Sequence, residues 1–424
     1  MRGSSILLLA ALLLPCPASA YRYDARLSSV LKAELGTKLR TTRTGRELLD
    51  RLRGREKYGE LRVLARSDRS DSLAWFDPSA NAVYLNSRYI LRFFEAKGFR
   101  DPQVVEVLWS NSKVRLFLVE HVSPVYLHEL VHALQYYKYP EYRRDAGANP
   151  LEFEYEAYLR EDMYVDELMR AEPGLLRKFI RGEYSDVYTS NVLGSYFTLS
   201  LDPGKYKEKI RRYYEEERGY LTLGRAEREK RSGLAGEKVM AYASGAVAEY
   251  RKDAGRLARL DREKKAYAAF LDGFYRKRWP AFSSRALLFV GTTALEEKNY
   301  PLALDCLAVA DANSGRYGMD PKTLESLRTK GALAILEAAS FIRDNSGKMG
   351  MEELSQYLKS LGNACAVTGR PFPEDLEPLR KETWPGAIKY YAGKLAAEKN
   401  PAKKEYYREN LEYFSDAPLP AGRK

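Results

Sequence analysis

Two of the three histidines in the chain lie four residues apart, and a glutamate follows the first of them directly, in His128-Glu129-Leu130-Val131-His132. Residues four apart on a helix share a face, so both imidazoles could bind one metal ion. Glu129 would lie beside that ion and could accept a proton from a water that the ion acidifies. The motif therefore predicts a zinc (Zn2+) site with His128 and His132 as ligands and Glu129 as the general base of a hydrolysis.

The motif needs a helix to bring these side chains together. Ser123-Pro124 offers an N-cap and a first-turn proline, which predicts a helix over 125–138. Four apolar residues within it recur at helical spacing and predict one buried stripe beside the histidines: Leu127, Leu130, Val131 and Leu134.

A catalytic zinc takes three protein ligands and keeps one position open, so a third ligand is required. No histidine follows His132, and Gln135 and Lys138 stand where metzincins place a glycine and their third histidine, which excludes that subclass. His121 precedes Pro124 and would lie two helical turns from His128, so we interpret it as structural.

The remaining possibility for the third ligand is an acidic residue on the next helix. Asn149-Pro150 predicts the start of that helix, which runs from Leu151 to about Met169 and carries Glu152, Glu154 and Glu156.

This arrangement resembles the gluzincins, zinc peptidases whose third ligand is a glutamate on a helix downstream of H-E-x-x-H, often within E-x-x-A. Glu154-Tyr155-Glu156-Ala157 matches that form, 22 residues after His132. The resemblance implies that Glu154 is the third ligand. Glu156, a glutamate directly followed by alanine as in thermolysin-like enzymes, and Glu152 stay open as alternatives.

Other features of the family correspond less closely. An aspartate four residues after the ligand often orients a histidine there, but Tyr158 occupies that position here. A hairpin predicted over 73–86 lies where such enzymes have an edge strand that pairs with extended substrate, and it could equally be scaffold. With no histidine downstream of the motif, a tyrosine would have to stabilise the oxyanion.

The first twenty residues predict export. Arg2, an apolar run over 6–14 and Ala18-Ser19-Ala20 are typical of a signal peptide cleaved before Tyr21. We therefore expect a periplasmic or secreted protein without an integral membrane segment. Lipoprotein processing at Cys16 is the less favoured alternative, because Pro15 precedes it.

Two cysteines, Cys306 and Cys365, would remain after cleavage. An oxidising compartment permits a disulfide between them, but we expect isolated buried thiols and no metal site. The net charge of +12 is spread over interleaved basic and acidic residues. Even the basic stretch Arg225–Arg231 contains two glutamates, so it predicts a solvated helix surface and no nucleic-acid partner.

Beyond about Ala171 the pattern is helical, and 287–310 resembles one tetratricopeptide helix pair. The predicted fold class is α+β, mostly helical, with a small β-sheet in a zincin-like peptidase domain and an all-helical C-terminal region. The predicted domains are a signal peptide (1–20), a zincin-like metallopeptidase domain (21–200), a charged helical connection (201–280) and a helical, repeat-like domain (281–424).

The sequence thus favours a zinc metallopeptidase that hydrolyses peptide or protein substrates outside the cytoplasm, with a C-terminal helical region that could bind a protein partner. Two alternatives remain. One is a non-catalytic exported adaptor with a structural or degenerate metal site, and the other is a hydrolase of a non-protein amide.

Overall fold

A computed structural model gives the fold. It describes residues 25–54, 62–66, 73–78, 80–96, 104–138, 151–182, 194–211, 265, 268–269, 272–274, 276–312, 314–316, 319–398 and 401–416. The predicted signal peptide, Cys16 and the stretch Arg225–Arg231 lie outside these residues.

The described chain is mostly helical with one small sheet, so the predicted α+β fold class is confirmed. In chain order its regular elements up to residue 201 are α1 (Ala25–Arg40), α2 (Arg43–Leu52), β1 (Arg62–Arg66), β2 (Ala74–Asp77), β3 (Ala82–Asn86), α3 (Ser87–Ala96), α4 (Val104–Ser110), α5 (Ser112–Lys138), α6 (Leu151–Ala171), α7 (Pro173–Ile180) and α8 (Gly194–Leu201). Residues 203–211 are also helical. The later helices are α9 (Trp279–Glu296), α10 (Tyr300–Ala312), α11 (Pro321–Asn345), α12 (Met351–Thr368), α13 (Glu377–Ala397) and α14 (Pro401–Asp416), with short 3-10 turns at Ser314–Arg316, Ser346–Lys348 and Glu374–Leu376.

The chain forms two compact units. The described residues of the first fall within Met1–Glu172, Ser185–Tyr196 and Gly204–Asp272, and those of the second within Pro173–Tyr184, Phe197–Pro203 and Gly273–Lys424. The predicted boundaries at 200 and 280 stay predictions, because most of the residues between them are not described. None of the described helices combines the length and apolar character that a bilayer span requires.

Within the described residues the sheet has three strands, in the order β1-β3-β2. The predicted hairpin is confirmed: β2 pairs antiparallel with β3, with Trp75 opposite Tyr84. Asn81 takes a left-handed conformation (φ 48°) in the turn, which asparagine tolerates better than most residues. Strand β1 was not predicted from the sequence; it pairs parallel with β3. Five residues are too few for a local period to reveal a strand whose partner lies twenty residues away.

Helix α5 is the central helix of the first unit, and nearly every side chain from Leu118 to Tyr136 is buried. All four residues of the predicted apolar stripe are among them.

The predicted start of the motif helix at Ser123 is wrong, because α5 begins at Ser112 and continues through Pro124. Pro124 has no N–H to bond the carbonyl of Glu120. The Ser123 hydroxyl donates to that carbonyl instead, at 3.2 Å, and so replaces the missing bond.

Helix α6 packs along α5 and is held from its other end by α1 and α2. The backbone N–H and the hydroxyl of Thr44, in the first turn of α2, both donate to the Glu167 carboxylate, at 2.8 and 2.9 Å. Lys38 forms an ion pair with Glu172 at 2.7 Å. These contacts fix α6, which carries the acidic candidates, relative to the helices that pack against α5.

The described C-terminal residues of the second unit are helical, with α9 and α10 packed as a close pair. Gly291 permits that approach, because a Cβ there would lie 2.7 Å from Cγ of Leu307. Cys306 and Cys365 are buried free thiols, as expected.

Candidate metal centre

The two motif histidines and one glutamate from α6 converge on a single point. The Nε2 atoms of His128 and His132 lie 3.1 Å apart, and Oε2 of Glu154 lies 3.4 Å from each of them. All three side chains are buried. Among the described residues, this is the group of histidine and carboxylate side chains that could hold a metal ion.

The triangle of ligand atoms has the dimensions of a zinc site. Zinc bonds of about 2.0–2.1 Å at tetrahedral angles place neighbouring ligand atoms about 3.3–3.4 Å apart. The observed edges of 3.1, 3.4 and 3.4 Å match that spacing. Lone pairs on three such atoms repel one another at this distance unless protons or a metal ion lie between them. The donor set therefore fits a metal ion without rearrangement of the two helices.

Neither Glu156 nor His121 takes part in the group. Residues two apart on a helix point to opposite sides, so Glu156 faces away from Glu154, and its carboxylate bonds to Gln135 and Arg160. The side chain of Glu152 lies outside the described set. His121 is buried two turns before His128, where its ring stacks on Phe117 at 6.3 Å.

Each metal-site histidine is held through its Nδ1 atom. Oε2 of Glu161 lies 2.9 Å from Nδ1 of His128, and Oε1 of Gln135 lies 2.8 Å from Nδ1 of His132. The carboxylate of Glu161 keeps a proton on Nδ1 of His128, so that the neutral ring presents the lone pair of Nε2 to the centre.

Sequence reasoning missed Glu161 and Gln135 as orienting residues. Tyr158 stands where the gluzincin aspartate is expected, and its ring packs edge-on against His128 with centroids 4.6 Å apart. Glu161 lies one turn further along α6, seven residues after Glu154 and therefore on the same helix face. The seven-residue spacing between Glu154 and Glu161 is the sequence signal that could have identified Glu161 as an orienting residue.

Electrostatics in the group reflect strong mutual attraction. Burial alone would lower the pKa of His128, but hydrogen bonds to Glu154 and Glu161 outweigh it and raise that pKa well above the usual value. Burial would raise the pKa of Glu154, but His132 and His128 hold it well below its usual range. Glu154 is therefore ionised at neutral pH and could supply a charged ligand to a metal ion.

Glu129 lies beside the centre and is buried. Burial raises the pKa of its carboxyl, against opposing effects of His132, His128 and the Phe76 backbone N–H. The N–H of Asn86 donates to the carbonyl of Leu73 at 2.8 Å, so these two residues form a hydrogen-bonded pair between β2 and β3. In an antiparallel pair of strands, hydrogen-bonded and non-hydrogen-bonded residues alternate. Phe76, three residues after Leu73, is therefore not hydrogen-bonded to β3, and its N–H points towards the outer edge of the sheet. The outer edge of β2 thus contacts the general-base candidate.

Another buried carboxyl on α6 belongs to a neighbouring network. Asp162 accepts hydrogen bonds from the hydroxyls of Ser195, at 2.9 Å, and Tyr206, at 2.7 Å. Burial, and then the nearby charge of Glu161, raise the pKa of Asp162 well above its usual value.

Comparison with protein-family models, curated proteins and solved structures gives no significant match.

Proposed function

We propose that this chain is an exported zinc-dependent metallopeptidase of the gluzincin type. The observation that carries the proposal is the convergence of His128 Nε2, His132 Nε2 and Glu154 Oε2 on one point. Two neutral imidazoles and one carboxylate are a ligand set typical of catalytic zinc, which leaves a fourth position open for water or substrate. The export part rests on the first twenty residues alone.

His128, His132 and Glu154 would hold the zinc ion. When bound, zinc supplies Lewis acidity, which polarises a carbonyl and makes water acidic enough to lose a proton near neutral pH. Glu161 keeps the proton of His128 on Nδ1 and so leaves Nε2 available as a ligand atom.

Glu129 would act as the general base and then as the general acid. Its raised pKa makes it a stronger base than a solvent-exposed glutamate, and the adjacent position on α5 puts it next to the ligands. It would take a proton from the attacking water and return that proton to the leaving amine. The N–H of Phe76 would orient the carboxylate for both transfers.

An extended peptide is the substrate class that the surroundings favour. The outer edge of β2 lies beside Glu129, and none of the described strands pairs with that edge. Its main-chain groups that do not contact Glu129 would offer donors and acceptors at the spacing of an extended peptide. Pairing along this edge would place a substrate backbone beside the general base.

The test compares wild type with Glu129→Gln, both as mature protein from Tyr21 loaded with zinc, on a mixed peptide library. We expect Glu129→Gln to keep its zinc and to lose cleavage by about 10²–10⁴-fold, because an amide cannot accept the proton. Glu120→Gln, nine residues earlier on α5, is the matched control and should cleave like wild type. Equal cleavage by wild type and Glu129→Gln would contradict the proposal, and absence of cleavage by wild type would favour a non-catalytic adaptor.

A further inference from the structure

We propose that Gln135 is a positioning residue that fixes the proton of His132 on Nδ1 and ties the two ligand-bearing helices together. The proposal rests on the metal centre of the proposed function. Gln135 lies one turn after His132 on α5 and is buried. Its amide contacts α6 on one side and the His132 ring on the other.

The surroundings of the amide determine which end is oxygen. One end lies 3.0 Å from the carbonyl oxygen of Phe153 and 3.1 Å from Oε2 of Glu156. Both of these atoms only accept hydrogen bonds, so this end must be the NH2 group. A flipped amide would place its oxygen against two acceptors in a buried site. Oε1 therefore faces His132.

This orientation dictates the protonation of the His132 ring. Oε1 of Gln135 lies 2.8 Å from Nδ1 of His132, and an amide oxygen can only accept. The proton must then sit on Nδ1, and Nε2 keeps the lone pair that faces His128 and Glu154. Gln135 thus accepts a hydrogen bond from Nδ1 of His132, as Glu161 accepts one from Nδ1 of His128.

Glu156 and Arg160 extend this chain of hydrogen bonds along α6. The Glu156 carboxylate accepts from Gln135 through Oε2 and from Arg160 through Oε1, at 2.9 Å. The segment 153–156 therefore carries the proposed ligand Glu154 on one face and, on the other, the two acceptors that bond to the NH2 group of Gln135. This arrangement gives Glu156 a role distinct from that of a ligand.

A neutral amide suits this position better than a second carboxylate. The centre already holds the buried carboxyls of Glu129, Glu154 and Glu161. A further negative charge on the His132 side would lie against Glu156 as well. Gln135 accepts from the imidazole without adding charge.

The test measures zinc affinity and the His132 tautomer in Gln135→Met. Competition with a chromogenic chelator should show affinity about 10–100-fold weaker than wild type, the usual effect of losing a partner of a ligating histidine. With only three histidines in the chain, ¹⁵N spectra can follow each ring. In metal-free protein, at a pH above the pKa of both rings, the population protonated on Nδ1 should fall for His132 and stay unchanged for His128.

Two further variants separate positioning from ordinary packing. Gln356 is a matched control in the second unit, where its NH2 group donates to Tyr391 and Asn410, both at 2.8 Å. Gln356→Met should lower the melting temperature without changing zinc affinity or the His132 tautomer. The double variant Gln135→Glu with Glu156→Gln keeps an acceptor beside His132 and a hydrogen bond between the two exchanged side chains. Its zinc affinity should therefore be higher than that of Gln135→Glu alone.

Unchanged affinity and an unchanged His132 tautomer in folded Gln135→Met would overturn the inference. The tautomer is measured without metal, so this readout does not depend on zinc binding. A wild-type protein that binds no zinc, yet needs Gln135 to keep the His132 proton on Nδ1, would refute the proposed function and leave the positioning role standing.

Discussion

Replacement of Glu161 should weaken metal binding in a graded way. Oε2 of Glu161 lies 2.9 Å from Nδ1 of His128, and both side chains are buried, so this bond is charge-assisted and shielded from water. A hydrogen bond to a charged group contributes about 1.5–3 kcal/mol, against about 0.5–1.5 kcal/mol for a neutral one. Glu161→Gln keeps a neutral acceptor and loses the difference, about 1–1.5 kcal/mol, which corresponds to about tenfold weaker zinc binding. Glu161→Ala loses the whole bond and should bind zinc about 10–150-fold more weakly than wild type.

The assay is competition for zinc with a chromogenic chelator at constant pH. Asp166→Asn is the matched control, because Asp166 is a buried carboxylate on the same helix that bonds to Tyr196 and Arg170 rather than to His128. It should lose stability and keep wild-type zinc affinity. The reasoning fails if Glu161→Ala is folded and binds zinc as tightly as wild type, or if Asp166→Asn weakens binding as much as Glu161→Ala does.

Two further predictions concern stability. Gly291→Ala should lower the free energy of unfolding by about 1–3 kcal/mol, since the added Cβ would lie 2.7 Å from Leu307, whereas Gly331→Ala has only ordinary contact at 4.0 Å and should stabilise its helix by about 0.5–1 kcal/mol. Denaturant unfolding measures both, and equal effects of the two changes would contradict the packing argument. Burial raises the pKa of Asp162, so the stability this group contributes is complete below its unfolded pKa of about 4 and is lost as pH rises through its folded pKa. Unfolding of metal-free protein from pH 4 to 8 should therefore show wild type losing stability relative to Asp162→Asn, and a constant difference between them would contradict the raised pKa.

The sequence predicted the parts of the centre that depend on local spacing. His128 and His132 lie one turn apart on any helix, and Glu154 was identified by the match of its surroundings to a short family motif. The hairpin could also be predicted from the sequence, because its two strands and the turn between them are contiguous in the chain.

Features that depend on contacts between elements were missed. Strand β1 gains its identity from parallel pairing with β3, which no five-residue pattern reveals. Pro124 indicated a helix start, and only the hydrogen bond from Ser123 to Glu120 explains why α5 continues through it. Glu161 and Gln135 were missed as orienting residues because their partners lie on the opposite helix, at distances set by how α5 and α6 pack.

Elemental analysis of zinc in the mature protein from Tyr21 tests the central claim most directly. It compares wild type with His128→Ala, Glu154→Ala and Glu156→Ala under zinc-replete conditions. We predict one zinc ion per chain in wild type and in Glu156→Ala, and loss of zinc in His128→Ala and Glu154→Ala. Wild type without zinc would contradict the metal centre, and zinc lost from Glu156→Ala but retained by Glu154→Ala would contradict the ligand assignment.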